Sequence, residues 1–482
     1  MMKLWKLAVC ALLLAALCFP TGAWAAADEE CPDCHGSDTA APEKIKLDDV
    51  FVHAFGGGAV TYTPTSTIVD IDKYVKASRV ERVEDVLMNI AGIDVMKSAG
   101  TPDPQAAILM RGFDDSRFIV AINGRPLTGS TGKANTSIDW SSLTLADIEK
   151  IEVIRGGASA AYESAEGGVI NIITKKGTTR DTFIPKLTLT QDASLTLEND
   201  NPYSSSTRIT ADGGKGPLTY FLNFGYQSDE GYLKNNRSRG RDYSWTVTYQ
   251  FPFEGVLRLS QKVSELDRQN FVVNWPGVVG YDPDYPLVPE DADTFRNRGI
   301  SYDYPGSRIY KERRTTHHDV SFDQPIMGTN LHLYFYNTLN EDDDFYVTAK
   351  GVQQFWGGRL QDEKHVGGGA KWTLEPFKDN SLTLGYNYKE TEAREMPDIF
   401  QVHAGYVEDF WRINEKWETK AGLRVSKVRQ APYPYQLPGE EGRSRHPFDE
   451  WLVLPKFALT YNIRPETSVY ASVAKDYDLP GC

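Results

Sequence analysis

The sequence predicts a transmembrane antiparallel β-barrel of about 13 strands, preceded by an N-terminal α/β unit. Three observations predict it. From residue 186 onward apolar and polar residues alternate with a period of two, as in Trp245, Val247, Tyr249 and Phe251 set between Thr246, Thr248 and Gln250. That is the pattern of strands with one apolar face. The apolar faces are heavy in Tyr, Trp and Phe, as expected for the aromatic girdles of a membrane barrel. Finally, short and long connections alternate, which follows from brief turns at one rim and long loops at the other and has no cause in a soluble sandwich.

Composition agrees with this reading. A chain of 482 residues with 40% hydrophobic and 12% aromatic residues is too apolar for disorder and too long for a small disulfide scaffold. A formal charge of -14 argues against nucleic acid as a partner, because phosphate binding needs an excess of Lys and Arg.

In chain order, residues 1–25 read as a secretory signal: Lys3 and Lys6, an apolar run over 7–19, and the small-x-small site Ala23-Trp24-Ala25. The run is too short for a spanning helix of about 20 residues. No later apolar run approaches that length, so strands are the remaining way to cross a bilayer.

Residues 26–46 form an N-terminal segment holding Cys31-Pro32-Asp33-Cys34-His35. This C-x-x-C-H spacing suits covalent c-type haem, with thioether bonds to Cys31 and Cys34 and His35 as axial ligand. A Cys31 to Cys34 disulfide and another bound metal are the alternatives, and His53 is a candidate second axial ligand. No cofactor is firmly required.

Residues 55–181 mix α and β signals. Val83, Val86, Leu87 and Ile90 form a helical stripe that ends at Gly92, with Ser78 or a neighbour as its cap. Residues 118–122 and 148–154 read as strands, and Gly167-Gly168 leads into a third at 169–174.

In the barrel region, 182–482, short turns are expected near 213–217, 252–255, 324–328, 375–380, 414–416 and 464–467. Long loops are expected near 198–206, 229–242, 269–316, 340–360, 391–400 and 430–450. The 269–316 loop contains Trp275, Tyr281 and Tyr285, an aromatic set suited to flat or amphipathic ligands, although girdle or loop packing explains it equally well. His317-His318 reads as loop surface. No Ser/His/Asp triad, phosphate loop or zinc-spaced cluster stands out, so no enzyme is expected.

Several motifs in register carry a resemblance. ILMRGF at 108–113, IVAINGRP at 119–126, IEKIEVIRG at 148–156 and GGVINIITK at 167–175 resemble the plug domain of TonB-dependent outer-membrane receptors. LDDVFVHA at 47–54 resembles the TonB box, and VEDVLMNIAGIDV at 83–95 resembles the plug's first helix and strand. VYASVAKDYDLP at 469–480 resembles a mid-barrel strand of that family.

The resemblance implies a 22-stranded barrel with a plugged lumen, so about 13 of its strands are expected here, with truncation at the C-terminus. It marks Asp48, Asp49, Val50, Phe51, Val52, His53 and Ala54 as the TonB box, and Arg111, Gly112, Glu152, Arg155, Gly156, Gly167, Gly168 and Asn171 as plug motif residues. Arg111 and Arg155 are expected either to pair with barrel-wall carboxylates or to lie solvated in the lumen.

The function implied is energised uptake across the bacterial outer membrane of a scarce ligand, such as a ferric siderophore, another iron or metal chelate, or cobalamin. TonB, with ExbB and ExbD, is the implied partner on the periplasmic side, and outer-membrane lipid surrounds the wall. The alternatives are an outer-membrane-anchored c-type haem electron-transfer protein and a nonfunctional truncated, split or decayed receptor.

Overall fold

The structure, a computed structural model, describes residues 46–47, 50–51, 59–62, 66–77, 82–96, 107–114, 117–127, 138, 140–155, 159–162, 165–195, 203–269, 271–272, 274–278, 281–288, 308–347, 353–393, 400–430, 448–464 and 467–475. All of them lie in the unit Lys44–Cys482. It opens with a two-residue pairing of β1 (Lys46–Leu47) with β2 (Val50–Phe51).

The α/β unit is built on a six-stranded sheet. Its strands are β3 (Val60–Tyr62), β4 (Ser66–Asp70), β7 (Ile119–Ile122), β8 (Arg125–Leu127), β9 (Ile148–Arg155) and β10 (Gly168–Thr174). They run in the order β3-β4-β9-β10-β7-β8, with β10 and β7 parallel and every other pair antiparallel. Helices α1 (Ile71–Ala77) and α2 (Val83–Leu87) and the pair β5 (Ile93–Met96) and β6 (Ala107–Met110) complete it.

Val83, Val86, Leu87 and Ile90, the expected helical stripe, are all buried in a core shared with Trp140, Ile151, Val153 and Ile170. The N-cap of α2 is Arg82, nearer the helix than the expected Ser78, and Asp85 Oδ2 accepts the Arg82 backbone N–H at 3.0 Å. Gly168 has φ +130, and a Cβ there would overlap the carbonyl oxygen of Ile154 and the end of Met110. Only glycine lets β10 start against β9 this closely.

The rest is one antiparallel meander of 13 strands, each paired with the next in sequence. They are β11 (Lys186–Leu195), β12 (Tyr203–Lys215), β13 (Leu218–Asp229), β14 (Ser238–Gln250), β15 (Val256–Gln269), β16 (Arg308–Ile326) and β17 (Thr329–Val347). There follow β18 (Gln353–Leu374), β19 (Asn380–Ala393), β20 (Phe400–Arg412), β21 (Trp417–Gln430), β22 (Phe448–Arg464) and β23 (Thr467–Ala474). Among the described residues β11 and β23 are the sheet's edges and do not pair with each other.

The short turns fall where expected. A two-residue turn joins β16 to β17 through Met327 and Gly328, with φ +51 and +79. Positive φ at both positions is the turn whose twist matches an antiparallel pair.

The usual distribution of burial is inverted in this sheet. Outward residues such as Leu189, Phe335, Trp451, Val453 and Val473 are exposed, Trp451 by 67% and Val473 by 69%, while inward His365, Thr391, Ser426 and Lys456 are buried. A soluble sheet does the reverse; apolar-out and polar-in is the arrangement of a wall bathed in lipid.

Phe221, the residue that breaks the alternation of β13, belongs to the inward face: it is buried, and Lys175 Nζ lies 5.6 Å above its ring. Three inward glycines of the wall receive tyrosine rings from their cross-strand partners. Gly367 faces Tyr336, Gly369 faces Tyr334 and Gly385 faces Tyr406, and a Cβ on any of the three would overlap the ring laid across it.

Two expected loops are corrected. β16 begins at Arg308, so the 269–316 loop ends earlier and His317-His318 is mid-strand, with His317 turned inward and 2% exposed. The 340–360 loop is largely strand, because β17 continues to Val347 and β18 starts at Gln353. The cause is visible on the outward face, where the rung Arg241, Glu265, Arg314, Glu341 continues the pairing with charges of alternating sign. Arg314 Nε lies 3.6 Å from Glu265 and 3.9 Å from Glu341. The backbone ladder persists after the apolar signal has stopped. The same extension takes the strands beyond the roughly ten residues that a tilted strand needs to cross a bilayer; β18 has 22.

Outward placement has a measurable consequence. Phe335→Arg should lower stability in lipid vesicles by about 2–4 kcal/mol if Phe335 sits near the bilayer midplane, read as a fall in the urea midpoint. Met327→Ser, at the exposed turn tip, should leave the midpoint unchanged. Equal behaviour of the two variants would mean that water, not lipid, contacts Phe335.

Candidate functional site

The α/β unit is fastened to the inward face of the wall by charged groups contributed from both sides. The first fastening starts at the β7–β8 turn, where Asn123 and Gly124 have φ +51 and +83. Asn123 is itself anchored to β10, donating from its backbone to Ile172 O at 2.8 Å and from Nδ2 to Thr174 Oγ1 at 2.9 Å. This turn delivers Arg125, 4% exposed, to the wall.

The Arg125 guanidinium forks onto Asp319 of β16 through Nε and through Nη2, the latter at 3.0 Å from Oδ2. It also lies 4.7 Å over the Tyr336 ring of β17. Bidentate pairing together with a stacked aromatic is a geometry that arginine serves and lysine does not. Beside it, His317 Nδ1 is 3.0 Å from Thr338 Oγ1 and 3.5 Å from Arg125 Nη2.

The second fastening is Lys262 of β15, whose Nζ lies 3.0 Å from Asp147 Oδ2. The third grips residues 159–162 by their backbone. Glu408 Oε2 of β20 accepts the Ala160 N–H at 2.6 Å, Arg424 Nη1 of β21 donates to Ala161 O at 3.2 Å, and Lys456 Nζ of β22 donates to Tyr162 O at 3.1 Å. A Cβ added at Gly422 would come within 2.8 Å of the Ala160 methyl, so the wall is bare where this segment touches it.

The residues singled out from sequence lie in several places. Arg111 and Gly112 form an exposed turn with φ +55 and +81, and the Arg111 backbone N–H donates to Gly92 O at 2.8 Å. Arg155 donates to Thr67 Oγ1 within the α/β unit itself, and burial draws its guanidinium pKa below the ordinary value. Wall carboxylates are met instead by Arg125, on Asp319, and by Arg180, whose Nη2 donates to Asp212 Oδ2 of β12 at 3.2 Å, while Arg111 and Arg155 make the contacts just given.

Glu152 and Asn171 face each other across β9 and β10, with Asn171 Nδ2 3.5 Å from Glu152 Oε2; Asn171 Oδ1 accepts the Gly124 N–H at 2.9 Å. Gly167 and Gly168 lead into β10. Of the 48–54 segment, Val50 and Phe51 form β2, while Asp48, Asp49, Val52, His53 and Ala54 lie outside the described residues, as do Gly156, Cys31, Cys34 and His35.

Trp275, Tyr281 and Tyr285 are exposed on a segment tied by Asn274, which is fully buried. Its Nδ2 donates to the carbonyls of Asp282, Tyr285 and Pro286 at 2.8, 3.0 and 3.1 Å, and its Oδ1 accepts the Asp282 N–H at 2.8 Å. The aromatics are thus carried on a constrained loop. Sequence reasoning missed Asp319, Lys262, Glu408, Arg424 and Lys456. Their one signal was a charge on the polar face of an alternating strand, which marks the lumen side but not the partner.

Residues 60–170 match the TonB-dependent Receptor Plug Domain family, and residues 188–481 match the family described as TonB dependent receptor-like, beta-barrel. The vitamin B12 transporter BtuB of Vibrio vulnificus is 25% identical over 340 residues, covering 67% of this chain and 49% of the relative. The ferric enterobactin receptor PirA of Pseudomonas aeruginosa is 28% identical over 200 residues, covering 39% of this chain and 26% of the relative.

The chain therefore spans about half or less of the length of these curated relatives. In fold it is similar to the ferric citrate transporter FecA, with a TM-score of 0.64 at 14% identity over 85% of this chain and 62% of that one. It is also similar to the siderophore receptor PirA of Acinetobacter baumannii, with a TM-score of 0.60 at 15% identity over 86% and 61%.

Removing Asp319 from the first fastening leaves the buried Arg125 guanidinium a stranded charge. Asp319→Ala should destabilise the seating of the α/β unit by about 3–5 kcal/mol, read as faster amide exchange across 119–127 with the wall strands unchanged. Adding Arg125→Ala to it should restore part of the loss, and strict additivity of the two would show that the pair is not coupled.

Proposed function

The chain belongs to the TonB-dependent receptor family, and from that premise we propose that it serves in the energised uptake of a scarce ligand across the bacterial outer membrane. The observation that carries this reading is the fastening of a separately cored α/β unit to the polar face of a lipid-facing wall by scattered charged groups. A unit with its own core keeps its fold when those groups let go. A lumen closed in that way opens only when work is done on the plug.

The work would arrive from the inner membrane through TonB, with ExbB and ExbD. Residues 48–54 suit the contact, because a short extended segment can add to the edge of a partner's sheet, taking strength from backbone hydrogen bonds and register from alternate side chains. The curated relatives carry vitamin B12 and ferric enterobactin in their names. A metal chelate or a cobalamin is accordingly the ligand class, and binding and transport need no covalent chemistry. The constrained aromatics Trp275, Tyr281 and Tyr285 would meet the ligand outside the cell, where rigid rings give contact area at small entropic cost.

Deletion of residues 48–54 should abolish accumulation of a labelled chelate in intact cells while leaving surface binding in place. Accumulation that persists in cells lacking TonB would refute the proposal. Separately, Trp275→Ala and Tyr285→Ala should each weaken surface binding of the transported chelate by about tenfold, the effect of losing an aromatic anchor, without altering the amount of receptor in the membrane. Unaltered affinity in both variants would assign these rings to packing.

A further inference from the structure

A cavity of about 110 Å³ lies between the sheet of the α/β unit and the inward face of strands β15 to β21. None of the fastenings described above fills it. Four fixed cations line it, Lys176, Arg258, Lys371 and Lys420, against two carboxylates, Glu152 and Glu408. Glu408 is already committed, with Lys420 Nζ at 2.8 Å and the Ala160 N–H at 2.6 Å. His332 also borders the space, with its Nδ1 2.7 Å from Asp323 Oδ1. The lining is therefore cationic in a chain whose formal charge is -14.

The wall is shaped to leave this space open. Lys371 of β18 stands cross-strand from His332 on one side and from Gly385 on the other. Gly385 has no side chain to cover it, and the Tyr406 ring lies flat against that glycine. One row away, the Tyr334 ring lies flat over Gly369. Amide and hydroxyl groups of Asn330, Thr373 and Thr383 also line it.

We infer that this cavity is a binding site for a small oxyanion group, a carboxylate or a phosphate, held between Arg258, Lys371 and the polar groups around them. Cations gathered in a confined space with low-dielectric walls focus a positive potential there. An oxyanion placed among them relieves their mutual repulsion and takes charge-assisted hydrogen bonds. Lys176, Arg258 and Lys371 each engage protein groups as well, so the donors are positioned before the anion arrives. The volume admits several waters or an anion of a few heavy atoms, not a whole chelate. The occupant is either a free inorganic anion or one oxyanion arm of a passing ligand. Only the second source rests on the transport reading.

The test uses the purified full chain in detergent, with inorganic phosphate and citrate as probes in calorimetric titrations. The double variant Arg258→Gln with Lys371→Gln should bind the tighter probe at least tenfold more weakly than the parent chain. Lys416→Gln, at an exposed turn, should bind it as the parent does. The pair Arg258→Lys with Lys371→Arg keeps both charges and should retain binding, which guards against loss through misfolding.

Tighter phosphate supports a free inorganic anion, and tighter citrate supports an oxyanion arm of the cargo. Undetectable binding of both probes to the parent chain overturns the inference, as does equal affinity of the parent and the Gln double variant. Because these titrations need no TonB, a chain that binds the anion but imports nothing defeats the transport reading alone.

Discussion

Lipid on the outside of the wall is the constraint from which the rest of this architecture follows. In hydrocarbon every backbone polar group needs a protein partner, which an unbroken antiparallel ladder supplies. Charged side chains cannot share that face, so at the level of the lipid they are driven to the other one. The inward surface consequently collects Lys262, Asp319, Glu408, Arg424 and Lys456 on separate strands. Each is a charge on a stiff support, and each needs something to neutralise or solvate it.

The α/β unit answers that need without surrendering its own core. Val69, Leu87, Trp140 and Ile170 belong to one core built from the unit's own residues, while Arg125, Asp147 and the peptide groups of 160–162 supply the counter-charges and carbonyls. The interface is thus a set of separate polar contacts, each of which can be exchanged for water in a wet lumen. An apolar seam of equal extent would resist sliding far more strongly, because exposing it to water costs free energy in proportion to area.

Much of this was legible in the amino-acid order, and the failures have definite causes. Alternation located the strands because side chains switch faces at every residue, and the helical stripe at Val83, Val86, Leu87 and Ile90 is a buried face. Loops were misjudged where strands carry charges of alternating sign on the outward side beyond the lipid, since Arg314 and Glu341 look like loop residues by composition. His317, next to these charges, reads as loop for the same reason. Phe221 breaks the simple two-faced pattern of its strand because its ring faces inward; its partner Lys175 comes from another domain, and no local rule reveals that. Arg125 sat in plain view inside IVAINGRP, but only the fold brings β8 to the edge of its sheet, beside Asp319.

The tyrosines laid over Gly367, Gly369 and Gly385 have a geometric consequence for the bore of this wall. Strand number and tilt set the diameter of the backbone cylinder, yet the usable width inside depends on how far side chains stand up from it. Seating three large rings over bare backbone recovers room without adding a strand, because each ring takes the space a Cβ would have filled. The room on the inward side of this wall therefore depends on where these rings lie as well as on the backbone.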